Sequence, residues 1–151
     1  MSILPKKNNK SFTQKNNKRF NSSKSTNDSF TVEPLLIIIN LKNIKIYKSI
    51  LKNKGGVYSI INKKKERQYI GSAKDFFIRL NEHLNNTKSN KPLQEDIKIQ
   101  GIEDFYIIIY KYFVYKTKAK SSKTLIDLET KYIKYFDPKN LYNCRSLNKN
   151  K

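Results

Sequence analysis

The stretch from Gly55 to Leu84 reads GGVYSIINKKKERQYIGSAKDFFIRLNEHL. It contains two short tyrosine-glycine segments, Gly56-Val57-Tyr58 and Tyr69-Ile70-Gly71, with a run of charge between them. Gly56–Asn62 and Gln68–Ser72 read as two strands, and the charged turn Lys63–Arg67 is short enough to close them as a hairpin. Asp75 is placed to cap a helix. Phe76, Leu80 and Leu84 then recur at helical spacing. That helix carries Arg79, ten positions after Tyr69, and His83, the one histidine of the chain, four positions later.

Downstream, Asn85–Asn90 is a polar loop. Pro92 suits the first turn of a second helix, which carries Leu93 and Ile97 and stops near Gly101. Phe105–Phe113 is dense in aromatic and β-branched residues and predicts a strand buried on both faces. Ser121 or Ser122 is placed to cap a third helix, with Leu125, Leu128, Tyr132 and Phe136 on one stripe, ending before Pro138. Upstream, residues 32–54 form a lead-in with apolar content but no clean period. An edge strand or a short helix fits it, as does a remnant of a fused segment. Residues 1–31 are Lys-, Asn- and Ser-rich, with Asp28 the only acid. They have too little apolar surface to offset the entropy of ordering, so a disordered basic arm is expected. The expected fold is α/β of the α+β kind: a small antiparallel three-stranded sheet flanked by about three helices, in the order β-β-α-α-β-α.

The 32 Lys and Arg against 12 Asp and Glu give a formal charge of +20. Such a field favours polyanions, above all nucleic acid. Nearly all the cations are lysine, a point charge on phosphate that reads bases poorly, so composition predicts affinity without sequence preference. A ribosomal or other structural RNA-binding protein would carry the same charge. The single cysteine, Cys144, excludes an internal disulfide and suits a reducing, intracellular compartment; it reads as a small buried apolar residue. The longest apolar run, Leu35–Ile39, is far short of the roughly 20 residues of a spanning helix, so no membrane partner is expected. Met1–Lys10 lacks the sustained apolar core of a secretory signal, and Arg19 is the only arginine of the arm, which argues against a transit peptide. Abundant Lys, Asn, Ile, Tyr and Phe, all with codons of A and T alone, suggest an AT-rich and organellar genome.

Hydrolysis of a phosphodiester needs a deprotonated, aligned water, stabilised charge on phosphorus and a neutralised leaving oxygen, and a metal commonly assists. Tyrosine has a pKa near 10, so about one phenol in a thousand is ionised at neutral pH, and a tyrosine base needs cations nearby. Tyr58 and Tyr69 would face each other across the hairpin; each alone reads equally as a half-buried strand aromatic. Arg79 and His83 are neighbours at i,i+4. A guanidinium fork matches two phosphate oxygens, although a solvated helix arginine and a satisfied histidine are the plainer readings. Glu129 shares an apolar stripe with Leu125 and Ile133, where a carboxylate is costly unless paired with a cation such as magnesium, a lysine or Arg79. There is no Cys/His zinc spacing, no GxxxxGK phosphate loop and no Ser/His/Asp arrangement.

Gly56-Val57-Tyr58, Tyr69-Ile70-Gly71, Arg79, His83, Glu129 and Asn143, in this order and spacing, resemble the GIY-YIG nuclease family, with Val57 in place of isoleucine. The resemblance covers about Gly55 to Asn143, within a nuclease domain placed at 55–151, and the lead-in looks more loosely like that of organellar intron-encoded members. It implies a metal-dependent endonuclease, related to intron-homing enzymes, that hydrolyses double-stranded DNA with Mg²⁺ or Mn²⁺ in mitochondria. In that scheme Gly56 and Gly71 are motif glycines and Tyr58 is the general base. Tyr69 orients the water or relays the proton, and Arg79 holds the scissile phosphate. His83 donates to phosphate or holds a tyrosine hydroxyl, Glu129 is the single protein ligand of the metal, and Asn143 holds the loop after the last helix. Lys63, Lys64, Lys65, Arg67 and Lys74 are candidate nucleic-acid contacts. Homing members usually carry a separate DNA-binding region; none is expected after Asn143, so an additional DNA-binding subunit is a candidate partner. The alternative is an inactive basic binder on the same fold, for example an RNA binder of an organellar ribosome.

Overall fold

The computed structural model describes residues 30–114 and 122–143. The hairpin forms as its sequence dictates. Strand β2 (Lys54–Asn62) pairs antiparallel with β3 (Arg67–Ala73), and Arg67 pairs with Asn62, so the turn is one residue shorter than the charge run suggested. Strand β4 (Phe105–Val114) pairs with the other edge of β2. The sheet has four strands, not three. Leu36–Ile38 of the lead-in forms β1 and adds antiparallel to β4, giving the order β1-β4-β2-β3. Strand and helix, set out as alternatives for the lead-in, both occur: β1 is followed by a 3₁₀ stretch at Leu41–Tyr47 and by helix α1 (Lys48–Leu51).

Helix α2 (Phe76–Leu84) starts at Asp75, whose Oδ1 accepts from Ile78 N at 3.1 Å. Asn90 caps α3 (Lys91–Gln100) in the same way, with Pro92 in its first turn, and Gly101 ends it at φ 95°, a left-handed value that a side chain resists. Helix α4 (Ser122–Tyr135) stops before Pro138. Ser121 lies outside the described residues, as do residues 1–29 of the arm and Cys144. There are thus four helices among the described residues, one more than expected, because the lead-in contributes α1.

Two apolar clusters sandwich the sheet. On one face Tyr58, Ile60, Ile107 and Ile109 pack with Phe76, Leu80 and Leu93 and with Ile38, Leu41, Ile44 and Leu51 of the lead-in. On the other, Val57, Ile70, Ile108 and Tyr110 meet Tyr132 of α4. This explains the unbroken apolar run in β4: alternate side chains enter different cores. The lead-in therefore belongs to the same core as the hairpin. Val32 at its start is buried, and Phe30, at the end of the arm, packs tilted against Tyr132 with ring centres 4.6 Å apart, so the arm expected to be disordered through residue 31 joins the core from Phe30. No helix among the described residues is long and apolar enough to cross a membrane.

Candidate active site

The hairpin register differs from the simple pairing of the two tyrosines. Tyr58 stands opposite Gly71, and Tyr69 opposite Ile60, so the phenols are diagonal neighbours with ring centres 6.4 Å apart. A Cβ at position 71 would lie 2.5 Å from the Tyr58 hydroxyl, which is why the second motif needs glycine. Gly56 has φ 147°, and a Cβ there would run into the Lys111 carbonyl of β4. A register shift between Val57 and Tyr58 marks a bulge where β2 meets β4.

Helix α2 aims Arg79 and His83 at this hairpin. The Tyr58 hydroxyl and His83 Nε2 are 2.6 Å apart, and His83 Nδ1 is 2.8 Å from Ser89 Oγ. Burial, with the Arg79 cation nearby, lowers the His83 pKa from 6.5 to about 3, so the imidazole is neutral. One ring nitrogen then donates while the other accepts. Gln94 donates to Ser89 Oγ at 2.7 Å and to the His83 carbonyl at 2.8 Å, fixing this row from α3.

Tyr58 is fully buried, and burial pushes its phenol well above the ordinary value, more than the Arg79 charge draws it down. Tyr69 is also raised by burial, yet it faces a cavity of about 320 Å³ lined as well by Arg79, Lys88, Ser89, Glu129 and Asn143. Tyr58 does not line that cavity. The lowered tyrosine pKa expected from the excess of cations is therefore not found in the protein alone.

Arg79 is partly engaged: Nη1 donates to Glu82 Oε1 at 2.8 Å and to the Lys88 carbonyl at 2.7 Å. Lys88 holds a left-handed backbone, φ 51°. Glu129 reaches the cavity from α4. Its Oε1 accepts from Ser72 Oγ at 2.8 Å, and no cation pairs with it among the described residues. Burial raises its pKa, partly offset by Ser72 and by Arg79. Asn143 sits on the open edge of β3. Its Oδ1 accepts from Ile70 N and its Nδ2 donates to Ile70 O, both at 2.9 Å, as a paired strand would. Only an amide supplies donor and acceptor together in that geometry.

No group of three or more metal-ligating His, Cys, Asp or Glu side chains occurs among the described residues. A lone half-buried carboxylate facing a cavity fits a hard cation that keeps most of its waters.

The basic candidates do not gather at this site. Lys63, Lys64 and Lys65 lie at the hairpin turn, where Lys64 pairs with Asp104 and Lys65 with Asp96. Arg67 covers the Tyr142 ring at 4.3 Å. Lys74 is at the opposite end of the hairpin, beside the start of β2. Ser72, Glu82, Lys88, Ser89 and Gln94 carry site geometry that sequence reasoning missed. They are common polar residues in no distinctive pattern, and only the fold brings them together.

A hairpin bearing paired tyrosine-glycine motifs, a helix with Arg and His, and a returning Glu and Asn define the GIY-YIG class. The family model for the GIY-YIG catalytic domain matches residues 54–143, and the chain belongs to that family. It is 48% identical over 133 residues to probable intron-encoded endonuclease 1 of Neurospora crassa, covering 85% of this chain and 44% of that protein. It is 30% identical over 112 residues to probable intron-encoded endonuclease bI1 of the same organism, covering 71% of this chain and 25% of that protein. The chain thus spans less than half the length of these relatives. Among solved structures it is similar to the catalytic domain of intron endonuclease I-TevI, at 26% identity, covering 58% of this chain and 95% of that one, with a TM-score of 0.45. A variant of that domain matches at 30% identity, covering 60% and 93%, with a TM-score of 0.49.

Proposed function

We propose that the protein is an endonuclease that hydrolyses phosphodiester bonds of double-stranded DNA with a divalent metal, Mg²⁺ or Mn²⁺. One observation carries this: Tyr69, Arg79, Glu129 and Asn143, from four separate stretches of chain, line one cavity. Arg79 has a guanidinium only partly engaged by the protein, and it binds the scissile phosphate and the charge that builds on it. Glu129 is the carboxylate that holds the metal, with Asn143 fixing the loop beside it. A bound divalent ion supplies charge to the phosphoryl and leaving oxygens.

The family resemblance implies Tyr58 as the base on water. Accessibility favours a different division, in which Tyr69 meets the water and Tyr58, hydrogen-bonded to His83, positions the cluster from behind. A Glu129 with no ion-pair partner among the described residues and an intact residue set favour an enzyme over a binder that has kept only the fold. The relatives' names suggest an intron-encoded, homing-type enzyme. Organellar, mitochondrial residence fits these names and the AT-biased composition. Target specificity is assigned to a further DNA-binding region or subunit. A plasmid-nicking assay with and without Mg²⁺ tests the reading: metal-dependent nicking supports it, and intact plasmid under all conditions refutes it.

A further inference from the structure

We propose that the lead-in segment builds a separate binding site for the phosphate backbone of double-stranded DNA, outside the cleavage cavity and rigidly coupled to it. The choice of DNA as the occupant rests on the nuclease reading above. An open concavity of about 660 Å³ is lined by Lys45, Lys48, Lys52 and Lys54, with Ile46 and Val114 among them. No acidic residue lines it, and Lys45, Lys48 and Lys52 take part in no ion pair among the described residues. The polarity is built in by the fold. Leu41, Ile44 and Leu51 are buried in the core, which leaves the lysines of the same segment on the outside. Ile46 and Val114 are 61% and 58% exposed, apolar surface of the kind that contacts sugar between phosphates.

The surface is fixed relative to the candidate active site. Asn53, in a left-handed turn with φ 64°, donates its N–H to Asp75 Oδ2 at 2.9 Å. The other oxygen of Asp75 caps α2, which carries Arg79 and His83. One carboxylate thus joins the end of the lysine segment to the helix of the site. Tyr112 of β4 donates to the Ile50 carbonyl at 3.0 Å, and Lys54 Nζ to the Ser49 carbonyl at 2.9 Å, which anchors the segment again. Exposed Lys74 immediately precedes Asp75 in the chain. A duplex whose cut phosphate reaches Arg79 has further backbone for these lysines to neutralise, and each is a point charge suited to phosphate in any sequence.

The test is equilibrium binding of a DNA duplex to the full chain in EDTA, across a range of salt. The triple variant Lys45→Gln, Lys48→Gln, Lys52→Gln is compared with Lys131→Gln, Lys134→Gln, Lys139→Gln, three exposed lysines of α4 and the turn that follows it, none of which lines the concavity. At roughly 0.9 per phosphate contact, the first variant should flatten the slope of log K against log salt by about 2 to 3, and the second by less than about 1. Equal losses in both variants would mean that only overall charge matters and would overturn the proposal. So would an unchanged slope in the first, or a loss confined to an RNA duplex run in parallel. A protein that binds DNA through the concavity yet never cuts it with Mg²⁺ would sink the nuclease reading and leave this site standing. Normal cutting with no effect of the first variant would do the reverse.

Discussion

Tyr58 lies directly across from Gly71, and its hydroxyl occupies the space that a side chain at position 71 would need. The glycine is therefore a packing requirement of the tyrosine. Gly71→Ala should lose roughly 1–3 kcal/mol of stability, the usual cost of overfilling a packed site. Tyr58→Leu should relieve part of that loss, so denaturant titrations of the double-mutant cycle should show coupling. Strict additivity would mean that the two residues do not compete for space.

His83 should make the protein acid-sensitive. Its folded pKa, about 3, lies below the ordinary 6.5. Between those values the unfolded chain binds the proton and the folded one does not. Stability is thus fully present above about 6.5 and falls as pH drops, by up to about 1.4 kcal/mol per pH unit. Glu129, raised by burial, has the opposite sign, so the measurement belongs in a Glu129→Gln background. Denaturation between pH 6.5 and 5 should show the decline there, and adding His83→Phe should flatten it. An equal decline with and without His83 would place the acid sensitivity elsewhere.

The two tyrosines should separate under single-turnover conditions. Tyr69→Phe removes the hydroxyl that faces the cavity and should slow cleavage more than Tyr58→Phe, which removes the partner of His83. The reverse order would return the base to Tyr58, as the family resemblance implies. Equal and negligible effects would leave both as strand aromatics.

Asn143 should act by position alone. Asn143→Asp keeps an acceptor for Ile70 N but loses the donor to Ile70 O, leaving a buried carbonyl unpaired at a cost of roughly 1–3 kcal/mol. Asn143→Ala removes the acceptor as well, and amide exchange at Ile70 should quicken in that variant. Unchanged exchange would show that the β3 edge does not depend on it.

The hairpin, α2 and α3 were legible because local signals set them: Asp75 and Pro92 at helix starts, and tyrosine-glycine pairs on the strands. The extra edge strand at Leu36–Ile38 was not, because a three-residue strand has no period to read and forms only where β4 offers an open edge. The site residues were legible as a set, through motif order, while their geometry was not. Register placed Tyr58 against Gly71 instead of Tyr69, and burial raised phenols that a count of cations suggested would fall. Sequence proximity also misled for the lysines: Lys63–Lys65 and Lys74 sit at opposite ends of one hairpin, and the lead-in lysines carried no motif at all.

Cleavage of duplex DNA by wild type and by Glu129→Gln, with and without Mg²⁺, addresses the assignment of the site at its centre. The substitution keeps the size of the side chain and an acceptor for Ser72, and removes a carboxylate charge that faces the cavity with no ion-pair partner among the described residues. Wild type should cut only with Mg²⁺. Glu129→Gln should bind DNA about as well and cut at least a hundredfold more slowly, on the order of the loss of one transition-state electrostatic group. Metal-dependent cutting by Glu129→Gln at the wild-type rate would contradict the assignment of Glu129 as the residue that holds the metal.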